Sequence, residues 1–534
     1  MTDCQLATSA SRWLAKFEGT LARQDEAALR ELFHPESHWR DVLALTWRIA
    51  TTSGRDAIVA KLKGSGARGF RLAADRTAPR PATRAGEECI EAIFRFETRD
   101  GIGAGVLRLK DDRAWTLLTA LEELKDLRRK KIEFEDTEPA VLVVGGGQAG
   151  LSIAARLAQR QIDTLVVDRW PRVGDNWRRR YDALTLHNQV HVNHLPYLPF
   201  PPGWPVYIPK DKLAGWFEAY VEALQLNYWT DTEFLGGSYA DGRWEVTLKR
   251  KDEKRKVHPR HIVLATGVSG IPHIPDIPAL EGFPGKVIHS SRYVDGENWQ
   301  GKRAIVIGTG NSGHDIAQDL HSAGGKVTLV QRSPTLVINR DPSAQLVYSL
   351  YSEGPPLEDC DLITASVPLQ VSRQGHKLAT AHARDLDKPL LDALERKGFR
   401  LTFGEDGTGW QFMYLTRGGG YYFNVGCSDL IVEGKIDLAQ ISELNSLLRK
   451  VDLVVLATGW KGQEALVAKL FGEEVAARVG PIWGFGEDQE LRNMFTRTAQ
   501  PGLWFIAGSF AQSRIYSKYL ALQIQASELG LFTQ

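Results

Sequence analysis

Between Trp13 and Leu32, apolar side chains recur at Trp13, Phe17, Leu21, Ala28 and Leu32. These intervals are close to helical and predict an amphipathic helix. The period then drops to two. The stretches ECIEAIFRFET (88–98), AGVLRLKDD (104–112) and AWTLLTALEEL (114–124) alternate apolar and polar positions. They predict strands of a curved antiparallel sheet, with hairpin turns at Asp100-Gly101 and Asp111-Asp112. Residues 1–130 therefore read as an α+β unit, and the charged stretch that follows, 131–139, as a linker. From Ala140 the grammar changes. Ala140–Val144 is an unbroken apolar run, the signature of a strand buried on both faces. A glycine loop, a helical segment (LSIAARLAQRQ) and a second strand (DTLVVD) follow it. The same order returns at Arg303–Ile307, with a glycine loop, HDIAQDLHSAG and KVTLVQR. Two more apolar strands, HIVLATG and DLVVLATG, end in the same tripeptide, at Gly267 and Gly459.

Each loop carries residue types that a dinucleotide requires. In Gly145-Gly146-Gly147-Gln148-Ala149-Gly150, Gly145 permits a tight turn, Gly147 lets backbone approach a pyrophosphate, and Gly150 lets helix and strand pack closely. The helix N-terminus offers free N–H groups and a positive dipole end to phosphates. Asp168, at the end of the second strand and followed by Arg169, is placed to accept hydrogen bonds from a ribose diol. In the second loop, Gly308-Thr309-Gly310-Asn311-Ser312-Gly313, the next strand ends in Arg332 instead of an acid. A guanidinium pairs with the 2′-phosphate of NADP, which an acid would repel. The first fold thus suits FAD and the second NADPH, with NADH open if Arg332 is only a solvated strand-end cation. The turns at Gly267 and at Thr458-Gly459 bring backbone close to a cofactor or a domain crossover. The expected architecture is α/β. Two nested Rossmann-like folds occupy 140–300 (first part of the FAD fold), 301–450 (NAD(P)H fold with an insert) and 451–534 (C-terminal part of the FAD fold).

Length and composition narrow the class without naming a chemistry. At 534 residues the chain exceeds a single core. With 66 basic and 65 acidic side chains, it has no electrostatic footprint for nucleic acid, and the run at 128–131 reads as solvated linker. The four cysteines (Cys4, Cys89, Cys360, Cys427) form no CxxC pair. No metal site or disulfide framework is expected, and a reducing compartment, the cytosol, is. No apolar window reaches membrane-spanning length, and the N-terminus lacks a signal-peptide core.

With these features together, the chain resembles the class B flavoprotein monooxygenases. The pattern Phe283-x-Gly285-xxx-His289-xxx-Tyr293 sits before the second glycine loop, as in flavin-containing monooxygenases. Gly174–Asn188, LPFPP (198–202) and YYFNVGCSDLIVEGKI (421–436) match as well. The N-terminal unit resembles the nuclear-transport-factor-2-like (SnoaL-like) cone carried by type II bacterial members. His34–Asp41 (HPESHWRD) either lines the mouth of that cone or finishes a helix and turn. The resemblance implies an NAD(P)H- and dioxygen-dependent monooxygenase that forms a C4a-(hydro)peroxyflavin. Its implied substrates are sulfides and amines, and also small or cyclic ketones by Baeyer–Villiger insertion. It places Asn176 and Trp177 beside the flavin, and either His187 or Asn188 near flavin C4a. The two differ chemically, because only a histidine titrates near neutral pH. Gly508 and Gln512 would lie near the pyrimidine edge, although Gly508-Ser509 replaces the familiar Gly-Asp pair. His289 reads as an organiser rather than a catalyst. The insert from about 335 to 420 carries no legible motif. Its turn Arg417–Tyr422 borders an access route or forms a surface hairpin, the hairpin being favoured. An NAD(P)H oxidase or reductase on the same frame is the alternative. The implied partners are dioxygen and a small molecule, and a homodimer formed through an N-terminal domain without chemistry of its own.

Overall fold

The computed structural model describes residues 2–125, 138–268 and 270–532. The run at 128–131 and most of the expected linker lie outside the described residues. The first helix starts earlier and stops sooner than its apolar pattern suggests. Thr2 and Gln5 form a capping box that opens the helix Asp3–Arg23. Gln24 then turns left-handed, and the Asp25 side chain accepts from the Ala28 N–H to start a second helix, Glu26–Glu31. An aspartate with a free side chain is a strong N-cap, so local capping overrides the continuous apolar spacing. The expected strands are present as Glu87–Glu97, Gly101–Lys110 and Arg113–Leu124. Asp111 and Asp112 both have positive φ at the second turn. The segment HPESHWRD does not finish a helix and turn. It lies within the strand Phe33–Val42, which runs parallel to Arg113–Leu124 near one side of a seven-stranded sheet.

The sequence Val141–Val144, Thr164–Val167, Tyr228–Trp229, His261–Leu264 and Leu503–Phe505 supplies one five-stranded parallel sheet. Its spatial order places Val141–Val144 between Thr164–Val167 and His261–Leu264, so the strand order reverses beside the first glycine loop. A second five-stranded parallel sheet centres on Arg303–Ile307, flanked by Lys326–Gln331 and Leu453–Leu456. Lys286–His289 closes one edge and Asp437–Gln440 the other. These pairings cut across the divisions expected at 300/301 and 450/451. Lys286–His289 and Leu453–Leu456 are partners in the second sheet, although both were expected in the first fold. The apolar strands alone cannot reveal this, because buried parallel strands carry no register signal that names a neighbour.

The C-terminal helix Phe510–Glu528 is buried nearly all round. Its Ile515, Tyr519, Leu522 and Ala526 enter the core of the N-terminal unit, and Phe510, Leu520, Ala521 and Ile524 enter the core of the first dinucleotide fold. A helix shared by two cores is apolar on both faces. Charged bridges reinforce the joint: Arg76 with Asp359 at 2.9 Å, Lys518 with Glu122, and Arg40 with Glu490 at 2.6 Å. No helix among the described residues is long and apolar enough to cross a membrane.

Candidate dinucleotide sites and the cleft between them

The two glycine loops are near copies of one another. Gly145 and Gly308 have φ of 105° and 116°, a region that favours glycine. A Cβ on Gly145 would stand 2.7 Å from the Ala265 carbonyl oxygen. On Gly308 it would overlap the carbonyl oxygen of Ala457. Ala265 and Ala457 open the two Ala-Thr-Gly turns, so each turn closes its own loop at the point where the strand order reverses. That is where open α/β sheets bind ligands. Gly147 and Gly310 instead face space: a Cβ would meet only the tip of Asn176 at 3.0 Å and the Tyr421 carbonyl at 3.7 Å, respectively. Both glycines precede the first residue of a helix, Gln148–Gln159 and Asn311–Ser322. Ala149, Gly150 and Gly313 are buried in the first turns.

Around the first loop, buried polar atoms stand without protein partners: Asn176 Oδ1, Trp177 Nε1 and Thr266 Oγ1. Leaving such atoms unmet is costly unless a ligand meets them. A dinucleotide therefore fits this cradle on the chain's own geometry. Asp168 is half-buried, and its carboxylate accepts from the N–H groups of Gly146 (2.8 Å) and Trp170 (3.0 Å). Burial raises its pKa despite these bonds. Asp168 thus braces the loop, in addition to the ribose contact expected of it. Arg169 is exposed and lies over the Trp170 ring. The Trp177 ring lies 6.2 Å from Phe510. Gln148 Nε2 donates to the Gly508 carbonyl at 3.1 Å, tying the loop to the final strand's end. The Gln512 Oε1 accepts from Ser509 N–H in a capping box, so that atom is spent on the C-terminal helix.

In the second fold, Asn311 Oδ1 accepts from Phe423 N–H, and the Ser312 hydroxyl meets the Tyr181 phenol. Arg332 is exposed immediately after the strand Lys326–Gln331, and Arg400 Nη2 donates to its carbonyl at 2.6 Å. The insert thus brings a second guanidinium to the expected phosphate position, which no local signal announced. Thr458 Oγ1 donates to the His273 carbonyl, and the Gly267 carbonyl accepts from Gln463.

The fingerprint residues serve as struts. His289 Nδ1 accepts from the Ser291 N–H, which leaves Nε2–H to donate to Gly459 O at 3.1 Å. Tyr293 donates to Asp319 at 2.7 Å, and Tyr181 to Asp315 at 2.6 Å. Two tyrosines therefore grip successive turns of the helix that begins the second fold. Burial pushes Asp315 up to about 6.

His187 and Asn188 face different ways. The His187 ring meets Phe423 edge-on at 4.6 Å. The residue is exposed at the surface, yet crowding of its imidazole by protein and the charge of Arg340 pull its pKa down to about 4, so it is neutral near pH 7. Asn188 is buried; its Nδ2 donates to Tyr348 Oη at 3.1 Å, and its Oδ1 has no partner. Tyr348 belongs to the insert and was invisible as a site residue, because its partner lies 160 positions away. The segment Arg417–Tyr422 is not a hairpin. Gly418 ends the helix Gly409–Arg417, and the chain enters the strand Tyr421–Asn424, which runs parallel to Leu336–Asn339. A parallel pair needs a crossover, and the helical insert provides it.

Fold and loops together define a protein of the two-dinucleotide-fold class. Residues 142–352 match the pyridine nucleotide-disulphide oxidoreductase family. The chain is 36% identical over 206 residues to indole-3-pyruvate monooxygenase YUCCA1 of Oryza sativa subsp. japonica, covering 38% of this chain and 50% of that protein. It is 27% identical over 339 residues to the probable indole-3-pyruvate monooxygenase YUCCA8 of Arabidopsis thaliana, covering 60% and 74%. It spans about half the length of the first of these relatives. Among solved structures it is similar to cyclohexanone monooxygenase in an open crystal form, with a TM-score of 0.53 and 15% identity over 74% of this chain and 88% of that one. The NADP⁺-bound cyclohexanone monooxygenase of Rhodococcus sp. Phi1 gives 0.52 and 16%, over 74% and 85%. At these identities the structural likeness is one of fold.

Proposed function

We propose that the protein is an FAD-dependent monooxygenase that uses NAD(P)H and dioxygen to oxygenate small soft nucleophiles, with small or cyclic ketones as a further class. The observation that carries this reading is the pairing of two dinucleotide cradles, each at its sheet's reversal point, with unsatisfied buried polar atoms around the first. The cradle at Gly145–Gly150 would hold FAD, with Asp168 at the ribose and Asn176 and Trp177 near the flavin. The cradle at Gly308–Gly313 would hold NADPH, with Arg332 and Arg400 at the 2′-phosphate. Bound flavin would supply the redox and oxygen chemistry. The chain's own residues bind, orient and exclude water. Asn188, fixed through Nδ2 by Tyr348, presents Oδ1 as a hydrogen-bond acceptor in a buried setting, and neutral His187 stands beside it. The names of the curated relatives and the fold of the cyclohexanone monooxygenases agree with this chemistry.

A disulfide reductase is disfavoured by the thiols themselves. Cys89, Cys360 and Cys427 are buried and unpaired. Burial pushes Cys89 and Cys360 up to about 11 and Cys427 higher still, whereas a reactive cysteine needs accessible thiolate. We read the N-terminal unit as a nuclear-transport-factor-2-like cone. A cytosolic homodimer belongs to the same proposal and is checked by light scattering of the full chain. The functional test is to reconstitute the protein with FAD, reduce it anaerobically with NADPH or NADH, and mix it with oxygenated buffer. Slow flavin reoxidation with little hydrogen peroxide supports the monooxygenase. Immediate reoxidation with stoichiometric peroxide supports the oxidase or reductase instead.

A further inference from the structure

A cavity of about 1030 Å³ opens where the N-terminal unit, the helical insert and the segment 485–498 meet. It is large for a small-molecule pocket. Its lining includes Ser509 and Gln512, at the helix start beside Gly508, and Tyr348, the partner of Asn188. It therefore abuts the groups placed near the first cradle. The N-terminal unit supplies Arg48, Ile49, Thr83 and Ala85 to the wall. That contribution is fixed in place. Arg40, itself buried, makes a bidentate bond to Glu490 at 2.9 and 2.6 Å and also donates to the Ala365 carbonyl and Tyr516 Oη. One side chain thus joins the N-terminal sheet to the 485–498 segment, the insert and the C-terminal helix. A domain held this way, with its side chains lining the cavity, is part of the chamber and not only an appended pairing module.

Five arginines and three carboxylates line the chamber. Glu490 is taken by Arg40 and by Thr51 Oγ1 at 2.9 Å, and Asp488 accepts from the Glu490 N–H. Arg84 is bound to Glu91 and Glu353. Arg48 and Arg497 stand near one another, and neither has a carboxylate partner among the described residues. Burial, and after it the nearby charge of Arg48, lower the pKa of Arg497. Arg497 is held by the Trp47 carbonyl at 3.2 Å and lies over the Phe532 ring, which leaves guanidinium donors free. Gln411 Oε1 and Gln489 Oε1 are buried on the lining without partners. Two neighbouring guanidinium groups without carboxylate partners suit a carboxylate or phosphate. Ile49, Val367, Met494 and Phe495 supply apolar wall to the same cavity.

We propose that this cavity is the substrate chamber, that the N-terminal unit forms its outer wall, and that Arg48 and Arg497 select substrates with an apolar body and an anionic end. The proposal rests on the monooxygenase reading for the word substrate, but the binding site does not. The test uses the full, FAD-reconstituted chain and two probes of equal length, 4-phenylbutanoate and 4-phenylbutan-1-ol, with affinity read by calorimetry. The carboxylate is expected to bind about tenfold tighter than the alcohol. Arg48→Gln and Arg497→Gln should each erase most of that preference while leaving the alcohol's affinity unchanged. Thr83→Trp, an exposed strand position facing the cavity, should weaken both probes together. Equal affinities in the unaltered protein, no binding of either probe, or a preference that survives both arginine substitutions would overturn the proposal. Oxidation of methyl phenyl sulfide is measured on the same preparation. Turnover without discrimination between the probes overturns the anion site alone. Discrimination without turnover supports the site and counts against the oxygenase reading.

Discussion

Alanine at Gly150 and alanine at Gly313 are equivalent perturbations of the two cradles, and they separate the cofactor assignments. A Cβ on Gly150 would overlap the Gly145 carbonyl oxygen and lie 3.1 Å from that carbonyl's carbon. On Gly313 it would overlap the Gly308 oxygen, with the carbon at 2.9 Å. Neither neighbour is a flexible tip; both are backbone of the loop itself. Alanine gains about 1 kcal/mol of helix propensity over glycine. Overpacking of this kind costs about 1–3 kcal/mol and is relieved only by moving the loop. The net effect on folding is therefore small, and the effect on the loop is large. Since each 1.4 kcal/mol is about tenfold in affinity, loss of aligned N–H donors should weaken the bound dinucleotide by about tenfold or more. Gly150→Ala is expected to purify with little flavin, read from visible absorbance per protein after gel filtration. Gly313→Ala should keep its flavin and show an NADPH KM raised by a similar factor. Far-UV circular dichroism confirms that both are folded. If Gly313→Ala loses flavin while Gly150→Ala retains it, the assignment is reversed. If both variants bind both cofactors normally, the loops are not the cradles.

Three further outcomes are expected. Arg332→Ala should raise the KM for NADPH by a factor equivalent to about 2 kcal/mol while leaving NADH little changed, since only NADPH carries the phosphate; equal effects on both coenzymes would sink the assignment. Arg40→Met leaves the Glu490 carboxylate, 12% exposed, without its cationic partner, so a loss of about 3–5 kcal/mol is expected by calorimetry, with partial recovery in Arg40→Met/Glu490→Gln. His314 is fully buried, stacks on Tyr422 at 3.8 Å and titrates at about 4, below the ordinary 6.5. The unfolded chain binds a proton that the fold refuses, so this contribution to stability is complete above about pH 6.5 and declines toward pH 4. Near pH 5 the cost is about 2 kcal/mol, and His314→Phe should flatten the fall in Tm between pH 7 and 5.

The parts of the molecule legible in the sequence are those decided by neighbouring residues. A buried apolar strand, a glycine needed at positive φ and a helix start lie within a dozen positions of each other, so both cradles could be located from Gly145–Gly150 and Gly308–Gly313. The two Ala-Thr-Gly turns were visible for the same reason, as were the hairpins at Asp100-Gly101 and Asp111-Asp112. What sequence could not supply was pairing across long separations. Lys286–His289 beside Leu453–Leu456, Arg40 on Glu490, Tyr348 on Asn188 and Arg400 at Arg332 leave no periodic trace in either partner. The first helix departs from its apolar spacing for a local reason: the spacing continues through Gln24, while Asp25 caps a new helix there. The open choice between His187 and Asn188 was one of orientation, and the backbone places Asn188 inward and His187 toward Phe423.

The most direct test of the monooxygenase claim is turnover of methyl phenyl sulfide with NADPH under heavy-isotope dioxygen, followed by mass spectrometry of the product. The account predicts sulfoxide carrying one heavy oxygen atom, NADPH consumed in proportion to sulfoxide, and little hydrogen peroxide. Unlabelled or absent sulfoxide, with NADPH consumption matched by peroxide, would contradict it and leave an oxidase or reductase on the same frame.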